Sequence, residues 1–309
     1  MSALTDPNPR GALLPSHRGI GPRRLRRLSS SQSRGGGILR IAILVFWAIY
    51  FLAPVYWLFL AATKSASTLT SSPAFSFQDP QLFKNVVATF TYDNGIFVRW
   101  AANSLLYSVA GAGVGTLIAG LAGYYLAMYQ FRGRETLFNI VLGGVLVPTT
   151  ALALPLFLLF AQVHLTNTFW GVFLASVVNP FGLYLARLSA EASVPFELLE
   201  AAKMDGAGDF RTFFSIAARL MTPGLITVFL TQFVGIWNNF LLPVVMLQDE
   251  KNYPITLGLY TWNEELSQLP VLQTYTLTGA FVSIIPLIVA FLFLQRFWQT
   301  GLAAGGVKA

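Results

Sequence analysis

Along this chain, long uncharged apolar runs alternate with short segments where Asp, Glu, Lys and Arg gather. The first run, Ile41 to Thr63, is 23 residues long, enough to cross about 30 Å of hydrocarbon at 1.5 Å per residue. A cleaved signal core is shorter, roughly 7–15 residues, so a retained span is predicted. Trp100 to Phe131 holds a second span, and its Ala110, Gly111, Gly113, Gly115, Ala119, Gly120 and Gly123 would let a neighbouring helix approach closely. The 51 residues from Thr136 to Ala186 carry no charge. That is too long for one helix and fits two of about 20 residues with a turn at His164 to Asn167. Leu220 to Gln248 holds a fifth span and Ser267 to Gln295 a sixth. The pattern predicts an all-α integral membrane protein with six transmembrane helices.

Composition agrees. The chain is 55% hydrophobic and 11% charged, with a mean hydropathy of +0.60, whereas soluble domains average about 25% charged residues. The absence of cysteine excludes a disulfide framework, a thiolate metal site and a Cys nucleophile. With only His17 and His164 present, no metal site and no His-base chemistry are expected. The net charge of +7 suggests nucleic acid until its distribution is considered. Arg10, Arg18, Arg23, Arg24, Arg26, Arg27, Arg34 and Arg40 precede the first apolar run, against the single acid Asp6. That is a juxtamembrane basic tail. Residues 1–37, rich in Pro, Gly, Ser and Arg, are expected to be a disordered cytoplasmic tail, with the membrane body at 38–309. Counting Lys and Arg on alternate sides gives 16 to 4 with the N-terminus inside, so both termini are expected in the cytoplasm.

The longest charge-bearing segment between two apolar blocks is Pro195 to Pro223, and the loop it marks is taken as 191–222. Its opening reads as a short helix. Ser193 suits a cap, Pro195 a first turn, and Glu197 and Glu200 the positive end of the dipole. Gly206-Ala207-Gly208 then breaks it, and Phe210, Phe213, Phe214 and Ala217 follow at helical spacing. A polar loop of this length in an otherwise apolar chain marks a docking place.

The residues themselves narrow this. Glu200-Ala201-Ala202, Met204-Asp205-Gly206-Ala207-Gly208, then Phe214, Ile216, Pro223 and Gly224 resemble the EAA loop of ABC importer permeases. Gly206 and Ile216 meet that pattern's spacings, while Ala218-Arg219 stands where the family has Leu-Pro. Trp100, Asn103-Ser104, Ala122, Tyr124, Phe131-Arg132-Gly133-Arg134, Pro148, Pro155, Leu165, Asn167-Thr168, Trp237-Asn238-Asn239-Phe240 and Pro243 extend the likeness. So do Pro286, Gln295-Arg296, Gly301-Leu302 and Gly306-Val307-Lys308. Together they are similar to the maltose-type carbohydrate branch over roughly residues 40 to 309.

The resemblance implies a coupling helix that seats on a cytoplasmic ATPase subunit, with Glu200, Ala201, Ala202, Asp205, Gly206 and Gly208 as its coupling residues. It implies two ATPase subunits that bind ATP and Mg, a second permease subunit in a heterodimer, an extracytoplasmic sugar-binding protein and surrounding membrane lipid. No nucleic-acid partner is expected. The chain has no Gly-x-x-x-x-Gly-Lys-Ser/Thr sequence and so cannot cradle a nucleotide by a P-loop; no cofactor is expected in it. The segments Lys64 to Arg99 and Asp249 to Leu269 would face the binding protein, with Glu264 and Glu265 offered to a basic patch.

Within the fifth span, Gln232, Gly235 and Asn239 fall on one helical stripe, with Trp237 and Asn238 beside it. These five are candidates for the substrate path, or else polar glue between helices. Glu200 has a plainer role too, as a dipole partner of its own helix. Pro148, Pro155, Pro180 and Pro286 are read as helix benders rather than ligand contacts. A permease for another delivered solute, such as glycerol phosphate or a polyol, stays open. An ion-coupled secondary transporter is disfavoured because no ionisable group falls at a span centre. A membrane enzyme is disfavoured by the lack of paired in-membrane carboxylates.

Overall fold

The structure, a computed structural model, describes residues 34–305. The arginines from Arg10 to Arg27 and the closing Gly306-Val307-Lys308 lie outside the described residues. Among the described residues there are helices and connecting turns but no strand, as an apolar surround that cannot satisfy open backbone groups requires.

Helix α1, Arg34–Thr63, starts inside the stretch expected to be a tail and runs through Pro54. Its first part, to Phe51, forms a unit of its own in which Trp47 stacks on Phe51 and meets Phe46 and Tyr50 edge-on. Everything from Leu52 on belongs to a second unit. There α2 (Ala66–Ser71) begins with a capping box between Ser65 and Thr68, and α3 (Leu82–Thr91) leads into α4 (Ile96–Met128). Next come α5 (Arg134–Gly143), α6 (Thr149–Gln162), α7 (Phe169–Val177) and α8 (Pro180–Ser193). The loop helices are α9 (Phe196–Met204), α10 (Asp209–Thr212) and α11 (Ala218–Leu220), the last two joined by a π-turn at Phe213–Ala217. Then α12 (Thr222–Trp237), α13 (Leu241–Met246), α14 (Ile255–Glu264) and α15 (Leu272–Gly305) complete the chain.

Three helical stretches are long and apolar enough to cross a membrane: Gly37–Thr63, Leu82–Met128 and Leu272–Phe297. The number rises to six if each bent pair counts as one span. The pairs are Arg134–Leu146 with Thr149–Gln162, bent by 102°, Phe169–Val177 with Pro180–Ser193, bent by 40°, and Asp209–Leu220 with Thr222–Trp237, bent by 85°. Each bend falls at or next to a proline: Pro148, Pro180 or Pro223. Proline lacks the N–H that continues a helix and crowds the preceding turn. The turn predicted at His164 to Asn167 is present, with both residues at φ +56°.

Helix α4 is the axis of the second unit and packs most extensively against α8 and α12. Small residues permit this: a Cβ on Gly123 would lie 2.6 Å from the backbone nitrogen of Arg187 in α8. One core cluster joins Tyr124, Ala127 and Met128 of α4 to Ala186 and Ala190 of α8, Leu199 of α9, and Phe213, Met221 and Val228. A second joins Phe97 and Trp100 to Phe233, Trp237, Leu259, Trp262 and Leu272. The remaining helix faces are apolar and exposed, among them Ile285, Ile288, Val289, Leu292 and Phe293 of α15. So broad an apolar surface belongs against lipid or partner chains.

Candidate functional site

The loop after α8 carries the first group of candidate residues. Its helix α9 does not begin as predicted. Ser193 is the last residue of α8, and its hydroxyl donates to the Ser189 carbonyl. The cap position falls to Pro195, which caps with no side chain, and Phe196 is the first helical residue. A serine inside a helix can satisfy its hydroxyl on the preceding turn, which removes it as a cap.

The other end of α9 follows expectation. Gly206 sits at φ +75°; its N–H bonds the Lys203 carbonyl at 3.0 Å, and the Ala207 N–H bonds that of Ala202 at 2.9 Å. This is a Schellman stop, in which the left-handed position favours glycine. Among the described residues, no atom beyond its own chain neighbours lies within 4 Å of where a Gly206 Cβ would be, so that side of the loop is open. Leu199 and Ala202 anchor α9 in the core, while Glu200, Ala201, Asp205 and Gly208 are exposed. Met204 is 89% and Phe210 74% exposed. The stripe predicted from Phe210 to Ala217 is therefore split: Phe213 and Ala217 are buried, but Phe210 and Phe214 point outward. The π-turn through Phe213–Ala217 shifts the register.

A clasp that sequence reasoning missed fastens this loop to α4. Tyr129, which follows α4, donates its hydroxyl to Asp209 Oδ1 at 2.8 Å. Lys203 Nζ lies 5.0 Å from the centre of the same ring, and Tyr125 stacks on it at 4.4 Å. Burial, then the neighbouring Tyr124 hydroxyl and the Asp209 carboxylate, raise the Tyr129 hydroxyl above its ordinary pKa, so it stays a donor. Close by, Arg187 pairs with Glu135 at 2.8 Å and Glu191 at 2.9 Å, tying α5 to α8.

The fifth-span candidates separate. Gln232 is 6% exposed; its Nε2 donates to the carbonyls of Ser176 at 2.9 Å and Val177 at 3.2 Å, and its Oε1 accepts from Asn179 Nδ2 at 3.3 Å. Trp237 is 3% exposed and packs with Phe233 in the second core cluster. Neither side chain lines an open surface of this chain, because each is enclosed by neighbouring helices. Gly235 and Asn238 do face outward, Gly235 with no atom within 4 Å of a built Cβ. The expected stripe is cut after Trp237, where α12 stops. Asn238 Nδ2 bonds the Val234 carbonyl at 2.9 Å, and Asn239 Oδ1 accepts the Leu242 N–H at 3.4 Å as α13 begins.

At the opposite end of α4, a ladder of side chains holds the segment before α14. Trp100 Nε1 donates to the Glu250 carbonyl at 2.8 Å and Arg99 Nε to that of Lys251 at 2.9 Å. Asn103 Nδ2 reaches the Lys251 and Tyr253 carbonyls, Tyr107 that of Asn252, and the Ser104 hydroxyl accepts the Ile255 N–H at 2.7 Å. Asn167 Oδ1 accepts the N–H groups of Gln248 and Asp249, both at 2.9 Å. Asp93, Asp249, Glu250 and Glu265 converge here. Partial burial, then Glu265, Asp93 and Asp249, push the Glu250 carboxyl above its usual pKa. Among the described residues no group of three or more His, Cys, Asp or Glu is arranged to hold a metal ion.

Comparison with known proteins converges on one family. The profile described as "Binding-protein-dependent transport system inner membrane component" matches residues 115–302. The chain is 32% identical over 275 residues, covering 88% of itself and 96% of its relative, to the arabinooligosaccharides transport system permease protein AraQ of Bacillus subtilis. It is 30% identical to the diacetylchitobiose uptake system permease protein NgcG of Streptomyces coelicolor, covering 88% and 89%. In fold it matches a chain from the crystal structure of a bacterial ABC transporter that imports the acidic polysaccharide alginate. The TM-score is 0.76 and the identity 23%, covering 87% of this chain and 98% of that one.

Proposed function

Because this chain belongs to the binding-protein-dependent transport system inner membrane component family, we propose that it is a permease subunit of an ATP-driven ABC importer of sugars, worked through the loop around α9. As a multi-pass membrane protein of that family it carries the solute path, whereas ATP and Mg are bound by two cytoplasmic ATPase subunits. A second permease subunit completes the path and an extracytoplasmic binding protein delivers the solute. Relatives named for arabinooligosaccharides, diacetylchitobiose, lactose and maltodextrin support a carbohydrate cargo.

In this reading the chain crosses six times, the third bent pair through its Thr222–Trp237 limb alone, with residues 38–309 as one permease body and the 191–222 loop, which holds Asp209–Leu220, and both termini in the cytoplasm. The observation that carries it is a short helix anchored by Leu199 and Ala202 that offers Glu200, Met204 and the open side of Gly206 to nothing within the described residues. Those exposed groups, with Ala201, Asp205 and Gly208, would seat on the ATPase. ATP-driven closure would then push α9, and with it α8 and α12, rocking the body between inward-open and outward-open states. The substrate path would be lined by Gly235, Asn238 and Asn239, on the side left uncovered for the second permease.

The test uses the reconstituted transporter. Glu200→Lys and Gly206→Val should each weaken ATPase co-purification by at least about tenfold, the scale of a central interface contact, with uptake falling in parallel. Wild-type ATPase binding and uptake in both variants would overturn the proposal.

A further inference from the structure

The break between α7 and α8 leaves a specific chemical gap. In a continuous helix the Ser176 carbonyl would accept the N–H of residue 180; that residue is Pro180, which has none. The next carbonyl, of Val177, loses its partner because the chain turns at Val178 and Asn179 before α8 restarts. Both carbonyls are filled from another helix, by the single amide of Gln232 on α12. The same side chain accepts from Asn179, whose own Oδ1 caps α8 through the Gly182 N–H at 2.8 Å. Gly115 of α4 makes the space, since a Cβ there would collide with the Gln232 amide.

What this joins is decided by connectivity. Helix α8 enters the loop that carries α9, and α12 leaves it. The two arms of that loop are therefore tied to each other, well away from the loop itself, at the point where the α7–α8 pair bends.

We propose that Gln232 is a positioning residue that transmits displacement of the α9 loop into the α7–α8 bend by standing in for the amide Pro180 lacks. This rests on the coupling role proposed above. A push on α9 reaches α8 directly and α12 through the π-turn. The Gln232 amide keeps both arms in register with α7, so the bend moves with them. Without it, α12 and the bend move separately, and ATP is hydrolysed with less solute carried.

The experiment measures solute imported per ATP hydrolysed in the reconstituted transporter for Gln232→Leu, Gln232→Glu, Pro180→Ala and the Gln232→Leu/Pro180→Ala double variant. Thermal stability is read alongside. Gln232→Leu keeps the volume and loses both donors; Gln232→Glu keeps an acceptor for Asn179 but loses the donors. Each should lower the import-to-hydrolysis ratio about fivefold to tenfold, the low end of site-to-site couplings. Adding Pro180→Ala restores an N–H to Ser176, so the double variant should regain stability but not the ratio. An unchanged ratio in Gln232→Leu would overturn the proposal. So would recovery of ratio and stability together in the double variant, which would make Gln232 a structural plug. A Glu200→Lys control separates the layers: if it too leaves the ratio and ATPase binding intact, the coupling reading itself has failed, not the joint alone.

Discussion

Gly206 shows how one backbone angle ends a helix. At φ +75° any L side chain is strained, by about 1–2 kcal/mol for a left-handed residue, yet among the described residues nothing beyond its chain neighbours stands in a new Cβ's way. Gly206→Ala should therefore loosen the end of α9 without disturbing the core, seen as faster hydrogen exchange at Ala207 with unchanged global melting. Tyr129→Phe isolates the clasp: it keeps the ring for Tyr125 and Lys203 and removes one hydrogen bond, worth about 0.5–1.5 kcal/mol. Since the Tyr129 pKa is raised, the stability tied to its neutral form is fully present below pH 10 and is lost only as pH climbs through the raised value. Loop protection should thus be flat from pH 6 to 9. Glu250 follows the same sign rule in the acid range. Its raised carboxyl contributes stability below the ordinary glutamate pKa, and this is lost as pH rises through the higher folded value. Glu250→Gln should raise the melting temperature at pH 7 and leave it unchanged near pH 4. The Tyr129 clasp was not legible beforehand, because a tyrosine after an apolar span is most often an interfacial anchor.

At the scale of elements, the long apolar runs were legible because hydrocarbon-spanning helices need length and little else. Their interruptions were legible only in part. Pro148 and Pro180 were read as benders and stand at bends of 102° and 40°, and the Asn179-Pro180 pair is itself a helix-start signal that reasoning could have used. The stop at Asn238 was not legible, since the run from Leu220 to Gln248 is unbroken in polarity except for amides that suited a helical stripe equally well. The burial of Gln232 and Trp237 was not legible in that stripe: helical periodicity reports which side chains share a face, not which face a neighbouring helix covers. Ser193 failed as a cap for a local reason, a competing carbonyl one turn back. The ladder on α4 gives a sharp test of packing. Trp100 is buried and bonded to the Glu250 carbonyl, so Trp100→Ala should cost about 3–5 kcal/mol. Asn103→Ala should cost only about 1–3 kcal/mol and free the segment from Glu250 to Tyr253 to exchange.

Within the unit from Leu52 on, polar fastenings gather at the α9 loop, at the α7–α8 bend and at the segment before α14. Its lack of cysteine makes sidedness directly measurable. Met204→Cys should react with an impermeant thiol reagent only from the cytoplasmic side of sealed vesicles. Glu264→Cys should react only from the opposite side. Reaction of both from one side would break the six-span arrangement.

The ladder that Arg99, Trp100, Asn103, Ser104 and Tyr107 make has a consequence for descent. It grips the carbonyls of residues 250 to 253 and the nitrogen of Ile255, which every amino acid but proline can offer alike. The side chains of Glu250 and Lys251 take no part in the grip, whereas Asn252 and Tyr253 are held on the carbonyls of Asn167 and Gln248. Lineages can therefore change the letters at 250 and 251 while the backbone course is inherited intact.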